Sequence, residues 1–385
     1  MKMLIDIRGF NPENLGSCLM LLAAQARIAK AFPNATISVG LGGDDLRLSR
    51  RNRSRFGVIG RWPRRWKRFD VEWLGRFVPR SMQRALSVTR DQDFRAVIDL
   101  SGFAYGDFWG AEKLKRRLGR GISQWKRDGR KVILMPQAFG PFRDEALANG
   151  MREVLQNADL VFPRDRTSRE YLTTLGAPRA LDQYPDFTHE VPAITLPGDP
   201  KPGTYFCVIP NSKLTVGKPP EEVARYLTFF TTAMERLASS LNVVPVMLRF
   251  GGAEDAELVE TLLARVSPRP RTFLIEDARH AKGLIAGSVA TVSSRFHAIM
   301  SALGAGVPCL SVGWSHKYGE AMSEYDCASY SLSLADVDRS EALDEFIGEI
   351  RSGTLRERLH IAGIRHRAAT DRMWNQVIQC IAEAA

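Results

Sequence analysis

Arg295 and His297 are the two residues of this 385-residue chain whose types and setting best suit chemistry. A β-branched run at residues 290–292 predicts the end of a buried strand. Small and apolar residues then recur at helical spacing until Gly304. At such a strand-to-helix corner, free backbone N–H groups favour an anion, and a guanidinium adds a bidentate grip on carboxylate or phosphate. The corner predicts an anion site; the alternative is a surface cation beside a structural histidine.

Other polar residues follow strands at the same kind of sheet edge. Lys213 comes just after the predicted strand 205–209, so it should lie at the edge that carries Arg295. Asp99 ends a predicted strand at residues 96–100. Asp165 follows a predicted strand at residues 159–162, where Arg164 offers it a local ion pair and where Thr167 or Ser168 could cap the next helix.

Strands and helices alternate along the whole chain, which predicts an α/β fold with mainly parallel sheets. Strands are predicted at residues 3–7, 36–39, 96–100, 131–136, 159–162, 205–209, 243–249, 272–275, 290–292 and 309–313. Helices are predicted at residues 18–31, 144–156, 221–241, 255–266, 278–286 and 355–384. Prolines and glycines interrupt this pattern over residues 190–203, which predicts two domains, at 1–195 and 203–354. We expect the last helix to pack back on the first domain.

The composition is that of a folded protein with excess positive charge. Apolar residues make up 44% of the chain, and the formal net charge is +11, which favours anionic partners. Five scattered cysteines without a CxxC pair indicate reduced thiols rather than a disulfide framework or a zinc site. Residues 1–8 do not predict a signal peptide, and no apolar run in the sequence reaches about 20 residues. We therefore expect a cytoplasmic protein, with peripheral contact to the inner face of a membrane as an option.

A basic segment from Arg47 to Arg68 contains ten arginines and lysines and no acidic residue. Aromatic residues are interleaved with it and follow it: Trp62, Trp66, Phe69 and Trp73. Such a cluster suits an anionic bilayer surface or a lipid-linked anionic glycan, and a solvated basic insertion is the alternative. No RNA- or DNA-binding module surrounds it, so nucleic acid is not an expected partner.

Several short motifs, taken together, resemble the polysaccharide pyruvyltransferase family. The most specific is Ser294-Arg295-Phe296-His297 followed by Gly306-Val307-Pro308 and a later Lys317. Weaker matches are Asn14-Leu15-Gly16, Gly140-Pro141, Arg164-Asp165 with Ser168 and Leu172, and Pro185-Asp186-Phe187. The resemblance implies two Rossmann-like domains arranged as in GT-B glycosyltransferases, with a cleft between them. It also implies that the first domain binds a sugar acceptor and the second a phosphoenolpyruvate donor.

Two stretches depart from the family pattern: Asp99-Leu100-Ser101-Gly102-Phe103 and Asn11-Pro12-Glu13. By the resemblance, Arg295, Phe296 and His297 bind the donor, with Lys213 and Lys317 as helpers. His297 is then the candidate general acid or base because its unperturbed pKa lies near operating pH, and Asp99 and Asp165 are fallback bases. Asn14 and Gln137 are the predicted acceptor contacts.

The expected reaction transfers a pyruvyl group to a surface or exopolysaccharide sugar, or to its precursor, as a ketal. It needs neither a metal nor another cofactor, and phosphoenolpyruvate is a substrate. One alternative is a GT-B-type glycosyltransferase that uses a nucleotide sugar, since the same corner can hold a diphosphate. The other is a non-catalytic protein that binds anionic glycan or membrane through the basic segment.

Overall fold

The computed structural model describes residues 3–40, 50–62, 65–66, 69–70, 77, 79–89, 93–119, 121–176, 181–338 and 340–384. The chain divides into two compact units. Unit 1 comprises residues 1–187 and 369–385, and unit 2 comprises residues 188–368.

Unit 1 is built on a parallel sheet. The strands are β1 Leu4–Arg8, β2 Thr36–Gly40, β3 Ile59–Arg61, β4 Arg65–Trp66, β5 Phe69–Asp70, β6 Val88–Thr89, β7 Ala96–Asp99, β8 Phe103–Tyr105, β9 Lys131–Phe139 and β10 Leu160–Pro163. Among the described residues the main sheet has the order β10-β9-β7-β1-β2-β3-β6, and β8 pairs with β9. These pairings are parallel, whereas β4 and β5 form a separate antiparallel pair.

The helices of unit 1 connect these strands. They are α1 Leu15–Ala31, α2 Arg50–Arg55, α3 Arg80–Leu86, α4 Ala111–Leu114, α5 Ile122–Arg127, α6 Glu145–Asn157 and α7 Arg166–Thr174, with a π-helical turn at Lys115–Gly119. A core of apolar side chains, including Trp125, Phe139 and Met151, lies between the sheet and α4 to α6. Helix α6 has the amphipathic spacing that such a position requires, since Leu147, Met151 and Val154 share one buried face.

Unit 2 repeats this architecture around a second parallel sheet. Its strands are β11 Tyr205–Ile209, β12 Val244–Arg249, β13 Arg271–Leu274, β14 Thr291–Ser293, β15 Cys309–Val312 and β16 Ser331–Leu332, in the order β13-β12-β11-β14-β15-β16. Its helices are α8 Pro220–Leu241, α9 Ala253–Leu263, α10 Ala278–Gly287, α11 Phe296–Gly304, α12 His316–Glu324 and α13 Ser340–Ser352, and α14 Thr354–Ala382 begins in this unit. This order, with β11 and β14 central, is that of a Rossmann-like sheet, whose ligand edge lies at the carboxyl ends of the strands.

The division between the units falls at residues 187 and 188, earlier than the predicted break at 190–203. The reason is that the proline-rich segment packs on unit 2. Lys282 Nζ donates to the carbonyl oxygen of Thr188 at 2.8 Å, and His280 Nε2 lies 2.8 Å from Asp199 Oδ1. Helix α14 is divided as well, because its residues from 369 onward belong to unit 1.

The described part of the basic segment contains buried arginines as well as an exposed one, Arg55. Arg53 is buried and donates from Nη1 to the carbonyl oxygens of Leu86 and Ser87. Arg61 is also buried, and its Nη1 lies 2.5 Å from Asp6 Oδ2. Arg47, Arg64, Lys67, Arg68 and Trp73 lie outside the described residues. At least two of the ten cations therefore stabilise the interior of unit 1.

Two further findings concern the chain as a whole. All five cysteines are buried, and none forms a disulfide in the structure. Across the described residues, no helix is both long enough and apolar enough to cross a membrane.

Candidate functional site

The predicted corner lies in unit 2, where β14 ends and α11 begins. Arg295 occupies the N-cap position of α11 in an extended conformation. Its backbone N–H donates to Ser293 Oγ at 3.0 Å, which turns the chain out of the strand. Since β14 is central in the sheet, this turn brings Arg295 to the carboxyl edge of the sheet, where open α/β folds bind ligands.

Ser294 holds the corner rigid through bonds to three other elements. Its carbonyl oxygen accepts from Asn211 Nδ2 at 3.1 Å and from the Tyr318 hydroxyl at 3.2 Å. Its Oγ lies 2.7 Å from the Tyr226 hydroxyl, which also accepts the Asn211 N–H. Ser294 is completely buried, so each of these bonds satisfies a polar group away from water. The loop after β11, helix α8 and helix α12 thereby fix the position of the Arg295 backbone.

Asp255 fixes the Arg295 side chain. Its Oδ2 pairs with Arg295 Nη2, and its Oδ1 accepts the Ser212 N–H at 3.0 Å. Arg295 Nε also points at the carbonyl oxygen of Pro210, 3.4 Å away. Asp255 lies in the first turn of α9 and is 5% exposed, and Gly251 must lack a Cβ because one would collide with its carboxylate. The guanidinium is thus oriented before any ligand binds.

Two lysines lie beside the Trp314 ring, at the same sheet edge as Arg295. The Lys213 Nζ lies 5.6 Å from the centre of the Trp314 ring, and the Lys317 Nζ lies 5.1 Å from it. The Lys317 Nζ is also 5.1 Å from the centre of the Phe296 ring. Partial desolvation, and then the charge of Arg295, lower the pKa of Lys213 below its usual 10.5. That repulsion indicates that Lys213 lies within electrostatic range of Arg295, so an anionic ligand between them would be favoured.

His297 lies in the first turn of α11, two residues after Arg295. It is half-buried, and its ring meets the buried Phe296 ring edge to face with centroids 5.3 Å apart. The structure therefore gathers the predicted donor residues Arg295, Phe296, His297, Lys213 and Lys317 at one sheet edge of unit 2.

The candidates in unit 1 are placed differently. Asp99 is fully buried at the end of β7, where it accepts from Ser101 Oγ at 2.6 Å and from Gln137 Nε2 at 2.9 Å. Burial raises its pKa, against the opposing effect of Arg117. Gln137, a predicted acceptor contact, is also fully buried. Asp99 and Gln137 hydrogen-bond to one another in the interior.

Two other predicted residues of unit 1 are helix caps. Asp165 Oδ1 accepts the Ser168 N–H at 2.7 Å at the start of α7, so the cap is neither Thr167 nor Ser168. Arg164 pairs with Asp186, with 3.4 Å between Nη1 and Oδ2. Asn14 Oδ1 caps α1 by accepting from Gly16 N at 3.0 Å, and the residue remains exposed. These geometries give each side chain a structural role.

Sequence reasoning missed the residues that support the corner. Asp255 lies 40 positions before Arg295 and looks like any acidic residue that favours a helix N-terminus. Tyr226 follows the periodic apolar pattern of α8 and reads as a core residue. Asn211 could have been predicted from the sequence, because it follows the same strand as Lys213 and so lies at the same sheet edge.

Comparison with known protein families identifies the family to which the chain belongs. Residues 14–316, which contain the Arg295 corner, match the family model for polysaccharide pyruvyl transferase. The chain belongs to this family. It is accordingly a transferase of pyruvyl groups that acts on polysaccharide. No curated protein matches the chain in a sequence search.

Solved structures support the same fold. A UDP-GlcNAc 2-epimerase from Neisseria meningitidis bound to UDP-GlcNAc aligns with 99% of this chain and 100% of its own, with a TM-score of 0.59 and 10% identity. The spinosyn rhamnosyltransferase SpnG complexed with thymidine diphosphate aligns with 95% of this chain and 96% of its own, with a TM-score of 0.54 and 11% identity. At these identities the likeness shows the fold alone: the pyruvyltransferase has two Rossmann-like units of the GT-B type.

Proposed function

We propose that this pyruvyltransferase uses phosphoenolpyruvate as its donor and forms a pyruvate ketal on a sugar of the polysaccharide or of its precursor. One observation carries the proposal: Arg295, Lys213 and Lys317 converge beside the N-terminus of α11, with Asp255 fixing the guanidinium. Phosphoenolpyruvate carries a carboxylate and a phosphate on a small carbon frame. Three cations and a helix N-terminus match that charge pattern.

The chemistry adds two sugar hydroxyls across C2 of the donor. One proton goes to the C3 methylene, which becomes a methyl group, and two C–O bonds form at C2. The bond from C2 to the phosphate oxygen breaks, and inorganic phosphate leaves with its electron pair and takes up the proton of the second hydroxyl. No oxidation state changes overall, so the reaction as written calls for no redox cofactor.

Each residue of the corner has a role in this scheme. Arg295 holds one anionic group of the donor through the guanidinium edge that Asp255 and Pro210 leave open. Lys213 and Lys317 stabilise the charge that develops on the departing phosphate. His297 transfers protons between the hydroxyls and the C3 carbon, as an imidazole can near neutral pH.

A titration followed by thermal unfolding tests the donor assignment. Phosphoenolpyruvate should raise the melting temperature of the wild-type protein and should not raise that of Arg295→Ala. Uridine diphosphate serves as the comparison ligand, because the structural relatives include a complex with UDP-GlcNAc. Stabilisation by uridine diphosphate and not by phosphoenolpyruvate would instead support a nucleotide-sugar donor.

A further inference from the structure

An open pocket of about 600 Å³ lies in unit 2 at the carboxyl ends of β15 and β16. Trp314, Tyr318 and Leu214 contribute apolar side chains to its lining, and Ser333 and Asp336 contribute polar ones from the loop after β16. Its volume falls within the range of about 300–1,000 Å³ that is typical of small-molecule sites. The pocket is larger than a donor the size of phosphoenolpyruvate requires.

This pocket adjoins the donor site. Tyr318 lines the pocket and donates its hydroxyl proton to Ser294, the residue before Arg295. Trp314 lines the pocket and also lies against Lys213 and Lys317. A ligand in the pocket and a donor at the corner would therefore share one wall.

Lys218 and Arg225 line the pocket, and each pairs with a carboxylate in the pocket or at its rim. Lys218 lies 3.6 Å from Glu222, and Arg225 lies 2.7 Å from Asp338 while donating to the carbonyl oxygen of Ala335 at 2.8 Å. Asp336 adds a second negative charge to the lining. An anionic ligand would compete with these carboxylates for the cations, whereas a neutral ligand rich in hydroxyl groups could hydrogen-bond to both.

We propose that this pocket binds a neutral pyranose ring of the acceptor, with an apolar face of the sugar against Trp314 and its hydroxyls toward Asp336, Glu222 and Ser333. The inference rests on the proposed function in that the sugar then lies beside the bound phosphoenolpyruvate. It places an acceptor contact on unit 2, whereas the sequence assigns acceptor binding to the first domain. Trp314 and Asp336 become determinants of acceptor specificity.

Gly319 allows a test that leaves the donor residues untouched. It lies in α12 on the pocket wall, and a Cβ there would meet only Ser331 Oγ, at 4.0 Å. Leucine at this position would fill the pocket and favours the helix more than glycine does. Gly348 in α13 is the matched control, because it is an exposed helical glycine of the same unit with nothing within 4 Å of an added Cβ.

The experiment measures saturation-transfer NMR from the full-length protein to methyl β-glucoside, methyl β-galactoside and methyl α-mannoside. We expect the ring C–H protons of at least one glycoside to receive saturation in the wild type and in Gly348→Leu. The apparent Kd of that glycoside should rise about tenfold or more in Gly319→Leu. Phosphoenolpyruvate should stabilise all three proteins equally against heat.

Any of three results would overturn the proposal. The wild type could bind no glycoside, or Gly319→Leu and Gly348→Leu could bind the glycoside with equal affinity. In the third, Gly319→Leu would lose binding of uridine diphosphate and keep binding of the glycoside. Failure of the donor assignment would look different. In that case phosphoenolpyruvate would stabilise none of the proteins, while the pocket variant would still lose the glycoside.

Discussion

Arg295→Lys keeps the positive charge of the anion site but removes the planar geometry of the guanidinium. The wild-type guanidinium uses Nη2 for Asp255 and directs Nε at Pro210, which leaves its other N–H groups for a ligand. A lysine ammonium keeps the positive charge but presents a single point on a flexible stem. At this position the ammonium can satisfy the buried carboxylate of Asp255 or the ligand, but it cannot reproduce the fork that serves both.

The expected loss of phosphoenolpyruvate affinity follows from the number of hydrogen bonds that the substitution removes. If the lysine stays with Asp255, phosphoenolpyruvate loses at least one charge-assisted hydrogen bond, worth about 1.5–3 kcal/mol. That corresponds to an increase in Kd of about 10- to 150-fold, since about 1.4 kcal/mol is a factor of ten. The fold should survive, because the ion pair with Asp255 can still form.

Isothermal titration calorimetry with phosphoenolpyruvate measures this change. Arg279→Lys is the matched control, since Arg279 also pairs with an aspartate, at 2.7 Å between Nη2 and Asp277 Oδ2, but lies at the start of α10. Its Kd should equal that of the wild type. An Arg295→Lys protein that binds phosphoenolpyruvate within about twofold of the wild type would refute the fork as the source of donor affinity.

Three further variants test other parts of the account. Asp255→Asn leaves the Arg295 charge without its partner. Because the Arg295 side chain is 27% exposed, water should limit the loss of unfolding free energy to about 1–3 kcal/mol, as measured by urea denaturation. Lys213 loses its charge as the pH rises through its lowered pKa, so the affinity for phosphoenolpyruvate should fall with rising pH, over a range that begins below pH 10.5. Lys213→Met, titrated across the same buffers, should show no such dependence. Gly140→Ala should cost about 2–4 kcal/mol in thermal unfolding, because Gly140 has a φ of +78° and an added Cβ would collide with the Tyr171 ring; a loss below about 0.5 kcal/mol would contradict that reasoning.

The fold was predictable where buried parallel strands appear as short apolar runs. Strand β11 covers residues 205–209 as predicted, and β15 ends one residue early. The strands β3, β6 and β16 were missed because they contain only two or three residues each, too few for a strand pattern in the sequence. Such segments become strands because a neighbouring strand pairs with them, which the local sequence does not reveal.

The candidate site was predictable in part for a similar reason. The position of Arg295 follows from the order of a strand, a turn and a helix, which is local information. Asp99 and Asp165 have the same kind of sequence setting, yet the structure buries one in a network with Ser101 and Gln137 and uses the other as a helix cap. Burial and partner choice depend on residues distant in sequence, as does the pairing of Asp255 with Arg295.

The most direct test of the central claim is to follow phosphoenolpyruvate by proton NMR in the presence of the protein and a polysaccharide acceptor. We predict that the vinyl signals of the donor disappear while a new methyl signal and one equivalent of inorganic phosphate appear, and that Arg295→Lys slows all three changes together. Phosphate release without a new methyl signal on the sugar, or an unchanged rate in Arg295→Lys, would contradict the assignment of ketal formation to this corner.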